Sequence, residues 1–175
     1  MKFNEGKATG LVFSEIEIKA STSEIWKIIS KPGNLILCHP FCKSNHVEKW
    51  NEVGAIDYIE YYNGLTMKRL FTAWTPEQGY ELIIGKGLQG LAKVKWEINP
   101  KNKQSSSLKI NITLLPEIIL YKYPKLFHNI LTLIYLKPKM RQYLNAVVKG
   151  FKFYIETGIQ VKKNQFGYNS MFSIK

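Results

Sequence analysis

The residue pattern, strand-like up to Pro116 apart from two short early helices, turns helical there, and that change limits the possible folds more than any other feature. Upstream, apolar and polar residues alternate. Ala92, Val94, Trp96 and Ile98 interleave with Lys93, Lys95 and Glu97; Leu108, Ile110, Ile112 and Leu114 interleave with Lys109, Asn111 and Thr113. A period of two marks strands with one dry and one wet face. Downstream, Met140, Tyr143, Leu144, Val147, Phe151 and Tyr154 recur at three and four residues, the apolar stripe of a long helix that opens at Pro138 and ends near Gly158. One-sided strands followed by one amphipathic helix predict an antiparallel sheet with helices on a single face, an α+β fold.

Earlier segments fit that frame. Leu11 to Lys19 alternates as a first strand. Ser21 and Glu24 have the spacing of a capping box, opening a helix that carries Ile25, Ile28 and Ile29 and stops at Pro32-Gly33. A second short helix is expected from Asn34 to Cys38, then strands at His46–Trp50, Ile56–Tyr62, Leu65–Trp74 and Tyr80–Ile84. Asn63-Gly64 reads as a two-residue hairpin turn. Such a turn opposes Tyr62 to Leu65, Glu60 to Met67 and Tyr58 to Arg69, so Ile56, Tyr58, Glu60, Met67, Arg69, Phe71 and Ala73 share a face. Asp57, Ile59, Tyr61, Lys68, Leu70 and Thr72 take the other, and alternation leaves open which is inner. With the first set inside, Arg69 and Glu60 are charges in an apolar concavity, suited to orienting a polar ligand end or to acid–base work. Otherwise they form an ordinary cross-strand ion pair.

The length, 175 residues, suits one domain with a real core. A composition of 45% hydrophobic, 13% aromatic and 22% charged residues excludes a disordered chain and a disulfide scaffold. Two cysteines, no apolar leader in Met1 to Lys7 and no uncharged run of about 18 residues lead us to expect a reducing, cytoplasmic setting, with peripheral membrane contact as an extension. The net charge of +12 attracts anions without naming them: nucleic acid, lipid headgroups, acidic metabolites, or only solvent. The lysines are scattered and no nucleic-acid motif occurs, which makes nucleic acid the weakest of these partners.

Three motifs invite chemistry. Gly85-Lys86-Gly87-Leu88-Gln89-Gly90 spells GxGxxG, but a dinucleotide site needs a helix next, and the alternating Leu91 to Ile98 follows instead. A hairpin turn explains the glycines better. Cys38-His39-Pro40-Phe41-Cys42 with His46 suggests zinc, against which Pro40 interrupts the helix that would align the ligands and no second pair follows. No metal or cofactor is expected. His128 has no evident partner. Finally, Ile118 to Leu136 is dense in Ile, Leu, Phe and Tyr and is flanked or punctuated by Lys122, Lys125, Lys137, Lys139 and Arg141. That suits an anionic bilayer surface, a lid over a cavity, or a helix buried in the core or in a dimer.

The order of strand, two short helices, antiparallel strands and a long terminal helix resembles the helix-grip fold of the START-like (SRPBCC) superfamily. Phe13 to Ile29, with its alternating strand, Ala20 and Glu24-Ile25-Trp26, resembles that family's opening strand and first helix, and His39 to Trp50 its approach to the second strand. The resemblance covers about residues 10 to 158 of a single domain; the apolar insertion 117–137 and the extension 159–175 depart from it. It implies a curved sheet gripping the long helix around an apolar cavity for a lipid, polyketide or aromatic molecule. On that reading Trp96, Ile110, Ile112, Tyr143, Val147 and Tyr154 form the dry wall beside Phe71, with Tyr58 and Arg69 as polar anchors. Gly150 would leave room for ligand or for close sheet contact. The main alternative is a cyclase or dehydrase using Arg69, Glu60 or a cavity tyrosine; a membrane-surface module acting through 118–136 is another.

Overall fold

A computed structural model describes residues 1, 2, 8 and 10–175. Most of the amino-terminal stretch read for a leader, Phe3 to Lys7, lies outside them. Seven strands, β1 (Gly10–Ile18), β2 (Cys42–Lys49), β3 (Ile56–Tyr61), β4 (Thr66–Thr75), β5 (Gly79–Lys86), β6 (Gln89–Asn102) and β7 (Ser105–Leu114), form one antiparallel sheet in the order β1-β7-β6-β5-β4-β3-β2. Helices α1 (Thr22–Ile29) and α2 (Leu35–Cys38) fill the connection from β1 to β2, which lie at opposite edges of the sheet. After β7 come α3 (Pro116–Ile119), a 3-10 turn (Lys125–Phe127), α4 (His128–Leu131), a π-helical turn (Thr132–Leu136) and α5 (Lys137–Thr157).

Local chemistry explains these boundaries. The Ser21 hydroxyl accepts from the Glu24 amide while the Glu24 carboxylate accepts from the Ser21 amide, so both predicted halves of the capping box close. Gly158, at φ 71°, ends α5 in the left-handed region. Pro138 does not open α5 from a loop, as the spacing predicts, because helical geometry already runs from His128. Proline lacks an amide hydrogen and its ring presses on the carbonyl four residues back. The widened π turn immediately before it, with the Lys137 amide donating to Thr132 O, absorbs that conflict.

On the concave face, the part under α1 is solid. Trp26, Trp50, Phe71, Trp74 and Tyr80 pack with ring centroids 5.0–6.4 Å apart, and Trp50 Nε1 donates to Ser30 O. Helix α5 crosses the other part and is tied to β1, where Ser14 Oγ donates to Asn145 Oδ1 at 2.7 Å and Lys152 Nζ to Glu17 O. The carboxy-terminal segment folds back: Val161 N donates to Leu37 O, Asn164 N to Pro40 O and Asn169 Nδ2 to Lys139 O. No described helix is long and apolar enough to cross a membrane.

The β3–β4 register corrects the sequence reading. The loop has three residues, not two: Tyr61 N donates to Leu65 O, Gly64 N donates to Tyr61 O, and only Gly64 of the loop takes positive φ, 81°. Asn63 instead uses its side chain, accepting from the Leu65 amide. The added residue moves β3 by one position, so Asp57 rather than Tyr58 opposes Arg69. The inner face therefore combines Asp57, Ile59 and Tyr61 with Met67, Arg69 and Phe71.

Candidate functional site: a cavity beneath the terminal helix

Between α5 and the sheet lies a cavity of about 810 Å³. Strand alternation supplies one wall, with Ala92, Val94 and Trp96 from β6 and Ile110, Ile112 and Leu114 from β7. The helical stripe supplies the opposite one through Met140, Tyr143, Leu144 and Val147. At one end the lining residues Lys86, Gln89, Glu117 and Tyr121 are exposed, which places the mouth between the β5–β6 hairpin and α3. At the other end His39, Tyr61, Arg69, Tyr143 and Phe172 are each no more than 8% exposed. Phe172, from the carboxy-terminal segment, closes that end by packing 4.7 Å from the Tyr61 ring and 4.4 Å from the Tyr143 ring.

The polar groups of the closed end lie within hydrogen-bond distance of one another. Arg69 Nε donates to Asp57 Oδ1 at 2.7 Å and Nη2 to Asp57 Oδ2, a two-pronged pair with both side chains out of water. Burial opposes the Arg69 charge, but the Asp57 carboxylate more than offsets it and holds the guanidinium pKa above its ordinary value. His39 Nδ1 accepts from the Phe41 amide at 3.2 Å, and Nε2 lies 2.9 Å from the Tyr143 hydroxyl, which is 3.2 Å from the Tyr61 hydroxyl. Burial first, and then the nearby Arg69 charge, push the His39 pKa down to about 3. Burial raises Tyr143 to about 12 and holds Tyr61 well above its ordinary value. The two cysteine thiols are buried and not bridged; burial raises Cys42 to about 12 and Cys38 higher, so neither is a ready nucleophile.

The candidates named from the sequence separate into two groups. Arg69, Trp96, Ile110, Ile112, Tyr143 and Val147 line the cavity. Tyr58 does not: it points to the outer face and donates to Glu48 Oε2 at 2.8 Å. Glu60 is outside too, held by Lys43 and Ser44, so the expected Arg69–Glu60 pairing does not form. Both corrections follow from the one-residue register change. Phe71 is buried in the aromatic cluster under α1, and Tyr154 packs against the core beyond the cavity. At Gly150 a side chain would meet Cys38 O at 2.2 Å, so this glycine admits α2 rather than a ligand.

Other motifs resolve as well. Gly85 to Gly90 forms the β5–β6 hairpin, with Gly87 at φ 54°. His39 is buried while His46 is exposed on β2, and no group of three or more metal-ligating side chains occurs among the described residues. His128 Nε2 lies 2.9 Å from Tyr123 O. Asp57, Tyr61 and His39 are site residues that sequence reasoning did not select. The first two alternate with Ile59 and become visible once the loop is counted as Tyr62-Asn63-Gly64.

No protein-family model and no curated protein matches this sequence. Solved structures match its shape. DynU16, a protein of the dynemicin biosynthetic locus, is 14% identical with a TM-score of 0.63 over 92% of this chain, which spans only 51% of DynU16. Aha1 from Colwellia psychrerythraea is 12% identical with a TM-score of 0.62, covering 86% of this chain and 98% of its own. Norcoclaurine synthase from Thalictrum flavum, solved with dopamine and hydroxybenzaldehyde, is 19% identical with a TM-score of 0.54, covering 83% and 88%. At such identities the likeness is one of fold. A seven-stranded antiparallel sheet curved about a long carboxy-terminal helix is what they share, and the chain has the helix-grip fold.

Proposed function

We propose that this protein binds and carries a hydrophobic small molecule, a lipid, polyketide or aromatic compound, in the cavity under α5. The observation that carries this reading is the cavity itself. Its volume of about 810 Å³ falls in the range of small-molecule sites, its walls are aliphatic and aromatic, and its polar groups gather at the closed end and the mouth. Trp96, Ile110, Ile112 and Val147 would contact the apolar body of the guest. Norcoclaurine synthase, of the same fold, is solved in complex with dopamine and hydroxybenzaldehyde, which agrees with an aromatic guest. Native mass spectrometry of the purified chain tests the proposal. A bound apolar compound, absent from a Val147→Trp variant, supports it; identical spectra for both proteins, each free of added mass after incubation with mixed lipids, count against it.

A second reading concerns how the guest enters. Tyr121, Leu126, Ile130, Leu133 and Ile134 are 53–86% exposed, and Leu88, at the tip of the hairpin across the mouth, is 84% exposed. Between Pro116 and Arg141 the chain has five lysines and arginines against the single carboxylate of Glu117. Apolar side chains rimmed by cations complement an anionic bilayer, whereas a second copy would set like charges against each other. We therefore propose that this rim docks on anionic membrane and exchanges the guest there. Flotation with vesicles of phosphatidylserine and phosphatidylcholine should recover the protein at low salt, and Leu126→Glu with Leu133→Glu should abolish recovery. No flotation, or concentration-dependent dimerisation through the same residues, would refute docking.

A further inference from the structure

A hydrogen count along the His39–Tyr143–Tyr61 chain leaves one hydroxyl hydrogen over. The Phe41 amide donates to His39 Nδ1, so in neutral imidazole the ring hydrogen is on Nε2. Nε2 then donates to the Tyr143 hydroxyl oxygen, 2.9 Å away. Two hydroxyl hydrogens remain, those of Tyr143 and Tyr61, and the 3.2 Å contact between these oxygens consumes one of them in either direction. The other finds no acceptor among the described residues, although Tyr61 is 1% and Tyr143 8% exposed and both line the cavity. A buried donor without a partner is costly, and such groups are normally satisfied.

Charge narrows what can satisfy it. His39 titrates at about 3 and is uncharged near neutrality; the tyrosines and Cys42 are held neutral by burial. Arg69 faces Asp57 with both prongs, so the pair contributes no net charge. A carboxylate or phosphate pushed to this end would lose its water without gaining a free counter-charge. A carbonyl, ether or hydroxyl oxygen needs only the hydrogen on offer.

We infer that the guest is an uncharged apolar molecule whose inner end has an oxygen acceptor, hydrogen-bonded by the Tyr61–Tyr143 pair. This rests on the cavity being a binding site. The site then selects ketones, esters, ethers or alcohols over free acids, and it holds them in one orientation, oxygen inward.

Displacement of the neutral fluorophore N-phenyl-1-naphthylamine tests the inference, with undecane, 2-undecanone and undecanoate as competitors at pH 8. The ketone-to-alkane affinity ratio should fall about tenfold from the wild type to the triple variant His39→Leu/Tyr61→Phe/Tyr143→Phe, which removes both hydroxyls together with the imidazole hydrogen that Tyr143 otherwise accepts. Each single tyrosine variant keeps one hydroxyl hydrogen and should keep the ratio. Undecanoate should bind more weakly than the ketone. An unchanged ratio in the triple variant, or undecanoate binding as tightly as the ketone, overturns the inference while leaving the cavity reading intact. If no competitor displaces the probe from the wild type, the cavity reading fails and takes this one with it. Infrared spectroscopy of bound 2-undecanone gives a readout that needs no variant: a carbonyl band lowered relative to hexane is expected, and an unshifted band contradicts the donor.

Discussion

Replacing Asp57 by Asn keeps the shape of the side chain and one acceptor for Arg69 Nε, but removes the only charge facing the guanidinium with both prongs. Asp57 is fully buried and Arg69 is 5% exposed, so water cannot take over. Removing one partner of a buried pair typically costs about 3–5 kcal/mol, because the remaining charge is stranded. That is a large part of the ~5–15 kcal/mol by which domains are stable. For a chain of this length, each kcal/mol moves the melting temperature by about 2–4 °C, so Asp57→Asn should lower it by roughly 6–20 °C. Urea unfolding followed by tryptophan fluorescence gives the free energy directly. The partner variant, Asp57→Leu with Arg69→Met, removes both charges and should recover to within about 1 kcal/mol of wild type or exceed it. A loss under 1 kcal/mol in Asp57→Asn, or a double variant as unstable as the single, would refute the reasoning that this is a sealed, mutually dependent pair.

Acidification should destabilise the fold through His39. Its pKa falls from 6.5 to about 3 on folding, so between those values the unfolded chain binds the extra proton. Stability from this residue is complete above pH 6.5 and declines as pH falls toward 3, at up to about 1.4 kcal/mol per unit. His39→Gln should flatten that slope between pH 6 and 4 in urea titrations; equal slopes would exclude His39 as its source. Gly150→Ala tests the close approach of α2 to α5. Helix propensity alone would stabilise the variant by about 1 kcal/mol, but the new methyl meets Cys38 O at 2.2 Å, so a net loss of about 1–3 kcal/mol is expected. A raised melting temperature would show that the contact yields.

The strands, the capping box and the long helix were legible because each obeys a local rule. Period-two alternation in β6 and β7 and the three-four spacing of α5 are properties of a segment, and burial follows them directly. Trp96, Ile110, Ile112 and Val147 reached the cavity for that reason. Tyr58 and Glu60 went astray because their facing depends on the length of one loop. Asn63-Gly64 suits both a two-residue turn and the end of a three-residue turn, and one residue of difference reverses every side chain of β3. Phe71 and Tyr154 show a different limit: periodicity marks an inner face but cannot divide it into the part filled by tryptophans and the part left hollow. The roles of His39 and Phe172 depend on contacts across the fold, with Tyr143 over 104 positions for the first and with Tyr61 and Tyr143 for the second, which no local pattern encodes.

The most direct test of a guest-binding hollow is a titration of the wild-type chain and of Val147→Trp with N-phenyl-1-naphthylamine. Val147 is 2% exposed and faces the cavity from mid-helix, so an indole there occupies the space claimed for the guest. The account expects saturable, blue-shifted fluorescence with the wild type, quenching of Trp96 by energy transfer, and loss of both in a variant that still melts cooperatively. Saturation of equal strength in a folded Val147→Trp protein, or none in the wild type, would contradict it.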